Sequence, residues 1–271
     1  MTTRTGPLTN EVADTDTRAF IRIEDLSVSY GGGALALDRL RLTVAEGEFL
    51  CVCGPSGCGK STLMQVLSGL LPPTTGTVEI AGRRLYASGR PEYVGVGYVF
   101  QDHRLLPWRR VRANLEITLA AAGVPREQWD ERIGRTLQML QIEQFANAWP
   151  LRLSGGQRQR AAIARALVVD PDVLLMDEPF STLDEVTGRA LRTELVEVWA
   201  RTRKTVVFVT HSIREALFLA DRVVLLTPGP GRLLETFPVT VPRPRDYEDV
   251  ELARLEQQVV EVALRGWGMA R

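Results

Sequence analysis

Gly54-Pro55-Ser56-Gly57-Cys58-Gly59-Lys60-Ser61 is the stretch on which the fold turns. It fits the pattern G-x-x-x-x-G-K-[ST], which chance alone would place in roughly one chain in a hundred of this length, so its flanks decide what it means. An apolar run, Phe49 to Cys53, leads in, and residues 61 to 70 follow with Leu63, Leu67 and Leu70 at helical spacing. The reading is therefore strand, glycine loop, helix. Glycines let such a loop curl until several backbone N–H groups point at one anion, and the helix N-terminus adds its partial positive charge. Lys60 can reach the β- and γ-phosphates of a nucleotide, and the Ser61 hydroxyl can take a place on Mg²⁺. The alternative, a plain glycine turn, leaves Lys60 unexplained. Of 33 basic residues only Lys60 and Lys204 are lysines, so lysine here is not the default cation of the chain. No role is read for Lys204.

Further along, Val173-Leu174-Leu175-Met176 reads as a buried strand, and Asp177 and Glu178 emerge at its carboxyl end, where ligands gather in open α/β sheets. Asp177 is a candidate Mg²⁺ ligand, and Glu178 a candidate base for an attacking water. Leu153-Ser154-Gly155-Gly156-Gln157 opens a second helix, with Ser154 as N-cap and two glycines that expose backbone N–H groups. This is another anion-type helix start, without a lysine.

Taken together, these motifs resemble the ATP-binding cassette (ABC) ATPases over about residues 20 to 235. Gly54, Pro55, Ser56, Gly57, Cys58, Gly59, Lys60, Ser61 and Thr62 match the Walker A loop. Gln101 matches the Q-loop glutamine, and Leu153 to Gln157 (LSGGQ) the family signature. Asp177 and Glu178 match Walker B and its catalytic glutamate. Ser181-Thr182-Leu183-Asp184 matches the D-loop, and His211, after the strand Val206 to Thr210, the switch histidine. Tyr30 stands where the family stacks an aromatic ring on adenine. The resemblance implies ATP and Mg²⁺ as cofactors, with Gln101 sensing Mg²⁺ and the attacking water and His211 contacting the γ-phosphate. It also implies head-to-tail closure of two cassettes. Each ATP then lies between one Walker A loop and the signature residues Ser154, Gly155, Gly156 and Gln157 of the other copy, with Asp184 of the D-loop a further nucleotide-binding residue. The other histidine, His103, is read as a loop residue without catalytic work.

Two further segments, Phe100 to Trp108 and His211 to Arg222 leading into Pro228-Gly229-Pro230-Gly231-Arg232, resemble the ATPase subunits of bacterial importers for nitrate, sulfonates, taurine and related molecules. Pro242-Arg243-Pro244-Arg245 fits that group too. The resemblance implies separate integral-membrane permease subunits, an extracytoplasmic substrate-binding protein, and a peripheral place on the cytoplasmic face of the inner membrane. Leu105, Leu106, Pro107 and Trp108 form an apolar cluster that reads either as a core turn or as the wall of a groove for a permease helix. A non-transport ABC ATPase acting on nucleic acid or ribosomes is the competing reading, and the ATPase of an exporter another. The former is disfavoured by a single cassette, no zinc module and no long coiled-coil insertion.

Composition bounds the rest. Thirty-three basic and 33 acidic side chains cancel, which argues against a generally cationic nucleic-acid binder. No run of about 18 apolar residues is present, so no bilayer span is expected. The first 18 residues lack the apolar core of a signal peptide. Cys51 and Cys53 alternate in a buried strand, where cysteine behaves as a small hydrophobe, and neither a zinc site nor a disulfide framework is expected.

The fold class expected is α/β: a P-loop NTPase (RecA-like) core with an antiparallel β subdomain and an inserted helical subdomain. Residues 1–19, poor in large apolar groups, read as a disordered tail. Residues 20–237 read as the nucleotide-binding domain, with the helical subdomain at about 102–165. Residues 238–271 read as a proline-rich linker and an amphipathic helix in which Leu252, Leu255, Val259 and Val262 share one face.

Overall fold

The structure is a computed structural model that describes residues 19–31, 33–87, 91 and 95–269. Residues 1–18 of the tail expected at 1–19, and Gly32 of the glycine turn, lie outside the described residues, whereas Ala19 opens the first strand.

The chain begins with β1 (Ala19–Ser29) and β2 (Leu35–Ala45). The apolar positions of β1 change phase, from Ile21 and Ile23 to Leu26 and Val28. The physical reason is a bulge: the register slips between Ile23 and Leu26, where Asp25 takes a positive φ of 47°. Both sets of side chains thereby reach the same core. β3 (Phe49–Cys53) runs into the glycine loop and α1 (Lys60–Leu67). Next come β4 (Thr75–Ile80), β5 (Arg83–Arg84) and β6 (Val96–Val99). The helices α2 (Val111–Ala121) and α3 (Trp129–Met139) follow, and then α4 (Gly155–Leu167). The chain continues through β7 (Val173–Asp177), α5 (Glu185–Thr202), β8 (Thr205–Thr210) and α6 (Ile213–Leu219). It closes with β9 (Arg222–Leu226), β10 (Leu233–Pro238) and α7 (Val250–Gly266).

Two sheets result. One is antiparallel, in the order β2-β1-β4-β5. The other runs β10-β9-β3-β8-β7-β6, parallel from β9 to β6, with β10 antiparallel at its edge. The central strands β3, β7 and β8 are buried at every position, which is why they read as unbroken apolar runs. Their side chains divide by the strand period of two. Leu50, Val52, Leu175, Val207 and Val209 join α1 and the antiparallel sheet in one core. Phe49, Cys51, Cys53, Met176 and Phe208 join the helices on the other face. The site lies where β3, β7 and β8 end between these two cores. Full burial of each large aliphatic or aromatic side chain contributes about 1.5–3 kcal/mol, so the strand ends are anchored from both faces.

The sequence reading passed over β4, β5, β9 and β10. β4 and β5 are short and largely polar, and β10 is a half-buried edge strand ending in Pro238. The segment after β10 is also more than a linker. Val239 and Val241 are buried, and the buried Arg245 donates to the carbonyls of Leu217, Phe218, Ala220, Val239 and Val241. The guanidinium fork thus satisfies the carbonyls at the end of α6. The last helix packs on α6 and β10, burying Leu252, Val259 and Ala263, and Trp267 Nε1 donates to Leu226 O at 2.9 Å.

Candidate nucleotide site

The glycine loop is shaped by close contacts. Gly57 and Gly59 have φ of 78° and 93°, a region costly for other residues. A Cβ on Gly59 would lie 2.5 Å from Ala36 O, and one on Gly54 would lie 2.5 Å from Cys58 Sγ. The Cys58 side chain is buried beneath the loop, and burial raises its pKa, so it is a packed thiol and not a metal ligand. All three cysteines are free and buried. The loop has a backing that sequence reading missed. A Cβ on Gly231 would lie 2.1 Å from Cys58 O and one on Gly229 3.1 Å from Gly57 O, so the Pro228–Arg232 turn lies directly behind it. Arg232 fixes that turn through an ion pair with Asp38, whose own N–H donates to Gly231 O at 3.0 Å. The two glycines of the Pro-Gly-Pro-Gly-Arg stretch were the available signal.

No side chain caps α1, whereas Ser154, Asp184 and Ser212 cap α4, α5 and α6. The N-terminal amides of α1 are thus left for another acceptor, the arrangement that suits a phosphate. Lys60 is buried, and its Nζ donates to Gly54 O at 2.8 Å and Pro55 O at 3.1 Å. Cys58 N–H also donates to Pro55 O, at 3.3 Å. The loop carbonyls occupy the lysine as anionic oxygens would. Pro55 is half-buried and Ser56 exposed at the loop's crest. At the rim, the Tyr30 hydroxyl shares a hydrogen bond with Thr62 Oγ1 at 3.1 Å and donates to Gln65 Oε1 at 3.4 Å. This ties Tyr30 to α1 while leaving it 46% exposed.

Opposite the loop, Ser61 Oγ donates to Asp177 Oδ1 at 3.4 Å, and Tyr98 OH to Asp177 Oδ2 at 3.3 Å. Burial raises the Asp177 pKa. The Ser61 and Tyr98 hydrogen bonds and the nearby Lys60 oppose that rise, while Glu178 adds to it. A hydroxyl beside a partly desolvated carboxylate is an oxygen pair suited to a hard divalent cation, so these residues fit Mg²⁺. Among the described residues no cluster of three or more His, Cys, Asp or Glu could hold a metal unaided.

Glu178 has a positive φ of 44°. A non-glycine residue pays about 1–3 kcal/mol for such a backbone, which persists where the surroundings over-determine it. Here its N–H donates to Val209 O, and its carbonyl accepts from Ser181 N–H and Ser181 Oγ. The side chain is thereby brought within 3.9 Å of Lys60 Nζ, and Oε2 within 3.1 Å of His211 Nδ1. Lys60, Ser61, Asp177, Glu178 and His211 thus lie together at the ends of β3, β7 and β8. Gln101 does not join them. It is exposed, just beyond Phe100, and no hydrogen bond among the described residues links it to Ser61 or Asp177. Tyr98, which sequence reading did not single out, makes the connection instead: it bonds Asp177 and stacks on Phe100 at 4.1 Å. His103 is half-buried and donates nothing to this group; its backbone carbonyl accepts from Arg165.

Ser154 to Gln157 form a second surface. Ser154 and Gln157 make a reciprocal capping box. A Cβ on Gly155 would lie 3.2 Å from Leu183, and one on Gly156 3.0 Å from Thr187. The signature-like helix start therefore packs on the turn that carries Asp184, whose side chain caps α5. The cluster at 105–108 divides between the two readings offered for it. Leu105 is buried, whereas Trp108 is 68% exposed. Leu106 lines a cavity of about 380 Å³ with Tyr98, Phe100, Arg104 and Arg165. Asn114, missed as a key residue, is buried and holds this turn by accepting from Leu106 N–H and donating to the carbonyls of Leu106, Arg109 and Arg110.

Comparison with known proteins agrees with this geometry. The ABC transporter family profile matches residues 37–181. An ABC transporter ATP-binding protein of Methanocaldococcus jannaschii is 41% identical over 245 residues, covering 89% of this chain and 90% of that one. The taurine import ATP-binding protein of Escherichia coli O157:H7 is 42% identical over 223 residues, covering 82% of this chain and 86% of its own. Among solved structures, cbiO1 of Clostridium perfringens, part of an ABC transporter complex, superposes with a TM-score of 0.75 at 25% identity, over 92% of this chain and 96% of that one. A dimeric ATP-binding cassette in a post-hydrolysis state with ADP and Pi gives 0.71 at 32% identity, over 82% of this chain and all of that one. Fold, converging motif residues and relatives lead to one conclusion: the chain belongs to the ABC transporter family.

Proposed function

We propose that the chain is the ATP-hydrolysing subunit of an importer for a small molecule such as nitrate, a sulfonate or taurine. The observation that carries the catalytic part is the Lys60–Glu178–His211 convergence facing the Ser61–Asp177 oxygen pair. Lys60 and the α1 amides hold the β- and γ-phosphates of ATP. Ser61 and Asp177 hold Mg²⁺, which neutralises phosphate charge when bound. Glu178 takes the proton from the attacking water, and His211, hydrogen-bonded to it, stands beside the γ-phosphate. Gln101 enters this group by movement of its exposed loop. Tyr30 stacks on adenine.

The signature surface, Ser154 to Gln157 with Asp184, serves the nucleotide of a second copy. Its packing against the Asp184 turn makes it a unit separate from the loop that holds Lys60. Two copies close head-to-tail around two ATP molecules, a reading supported by the similarity to a dimeric ATP-binding cassette.

The import assignment is supported by the 42% identity to a taurine import ATP-binding protein. No described helix is long and apolar enough to cross a membrane, so in this reading separate permease subunits form the channel, with an extracytoplasmic binding protein delivering the substrate. The chain is held at the cytoplasmic face of the inner membrane by protein contacts, without direct nucleic-acid binding. The exposed Trp108 and the cavity beside Leu106 form the permease-facing wall, adjoining Phe100 and Gln101. Trp108→Ala tests this. Removing an exposed interface aromatic of hot-spot type costs about 2 kcal/mol or more of docking, so the membrane-bound fraction in native cells should fall at least about tenfold. The ATPase rate of the isolated chain should stay within about twofold of wild type, because Trp108 touches no nucleotide group. An unchanged membrane fraction contradicts the assignment of this wall.

A further inference from the structure

Two helices of the core start beside the candidate site. α5 begins at the Asp184 turn, and α6 begins at Ser212, next to His211. A buried ion pair joins them. Arg192 on α5 is 8% exposed, and its Nη1 donates to Oε1 of Glu215, 6% exposed in the first turn of α6, at 3.1 Å. The other Glu215 oxygen accepts from the Thr210 hydroxyl. That hydroxyl accepts in turn from Ser212 N–H at 3.0 Å, and Ser212 Oγ accepts from Glu215 N–H at 3.2 Å. Thr210, Ser212 and Glu215 thus close a ring of hydrogen bonds around the backbone of His211. From that ring the His211 side chain reaches Glu178.

Arg192 also reaches back along α5, donating to Glu185 at 3.4 Å, and Gly188 leaves room for it. A Cβ at Gly188 would lie 3.3 Å from Arg192 Nη2. Tyr247, stacked on Phe218 at 4.2 Å, covers the pair with its ring 5.5 Å from the Arg192 guanidinium.

A buried ion pair is a weak source of stability, since apolar residues of similar volume often stabilise as well or better; its better-attested use is to fix one arrangement among several. What this pair can fix is the turn that carries His211. Resting on the ATPase reading above, we propose that Arg192 and Glu215, acting through Thr210, are positioning residues that hold His211 against Glu178. They make that geometry depend on where α5, and with it the Asp184 turn, stands. A shift of the Asp184 turn on closure of two copies would thereby reach His211 in the same chain.

The test uses the full chain with Thr210→Val, which keeps a β-branched side chain in the strand and removes only the hydroxyl, and with Glu215→Gln. Because a residue misplaced by about 1 Å can cost about 100-fold in rate, kcat should fall between about 10- and 100-fold in both variants. KM for ATP should stay within about twofold, since the Lys60 and α1 amide contacts proposed for the phosphates are untouched. Independently of turnover, the His211 imidazole nitrogen resonances should move in both variants, while those of His103 stay in place; a His211→Gln variant assigns the two. Glu215→Gln strands Arg192 and can fail to fold, in which case Thr210→Val decides. An unmoved His211 resonance in folded Thr210→Val overturns the proposal, as does a normal kcat. If wild type itself hydrolysed no ATP, the ATPase reading would fall, and the His211 resonance would still decide whether these residues position it.

Discussion

Glu178→Gln is expected to bind ATP about as well as wild type and to hydrolyse it between about 100 and 10,000 times more slowly, the span that a positioned general base contributes. The substitution is close to isosteric. The amide can still hydrogen-bond His211 Nδ1, and the left-handed backbone at 178 is kept by its own bonds to Val209 O and Ser181. What disappears is the proton acceptor 3.9 Å from Lys60 Nζ. With hydrolysis slowed and binding intact, the ATP-bound head-to-tail dimer should accumulate and elute as a dimer in MgATP, whereas wild type returns to monomer as ATP is consumed. Single-turnover hydrolysis and size-exclusion chromatography measure the two effects. Near-normal turnover would falsify the assignment of Glu178 as the base.

Lys60→Met is expected to affect binding and chemistry together. In the proposed site the ammonium, which donates to the carbonyls of Gly54 and Pro55, would exchange them for phosphate oxygens. A charge-assisted hydrogen bond is worth about 1.5–3 kcal/mol, so ATP affinity should fall roughly 10- to 150-fold. Loss of a cation aimed at developing charge should lower kcat by a further factor of about 100 to 1,000. Methionine fills a similar volume, so the fold should survive, with some loss of loop order because two carbonyls lose their donor. Titration with a fluorescent ATP analogue and steady-state hydrolysis separate the two effects. Unchanged affinity would show that the α1 amides alone hold the phosphates.

How much of this was legible in the sequence depended on whether the cause was local. The Walker-type loop was legible because its glycines, lysine and flanking strand and helix are contiguous, and the structure shows strand, loop and helix in that order. β3, β7 and β8 were legible as apolar runs buried on both faces, whereas β9, apolar and buried from Val223 to Leu226, was passed over. β4, largely polar, and β10, a half-buried edge strand, carried no such signature. The backing of the loop by Gly229 and Gly231 left only those two glycines as a signal, since it joins segments some 170 residues apart and depends on the absence of a side chain. Tyr98 and Asn114 were missed for a related reason. Each is an ordinary residue whose importance comes from long-range or loop-closing hydrogen bonds. The amphipathic face at 252–262 was read correctly, but the partner of Trp267, the Leu226 carbonyl, lies on a strand that the reading had passed over.

The most direct measurement is recovery of the tagged Glu178→Gln chain from gently solubilised membranes of its native cell in MgATP, with identification of what is held alongside it. The expected result is a multi-spanning permease in defined ratio to two copies of this chain, lost when Trp108→Ala is added. Recovery of ribosomes, nucleic acid or the chain alone, under several mild conditions, would contradict the transporter assignment and favour an ABC ATPase with no part in transport.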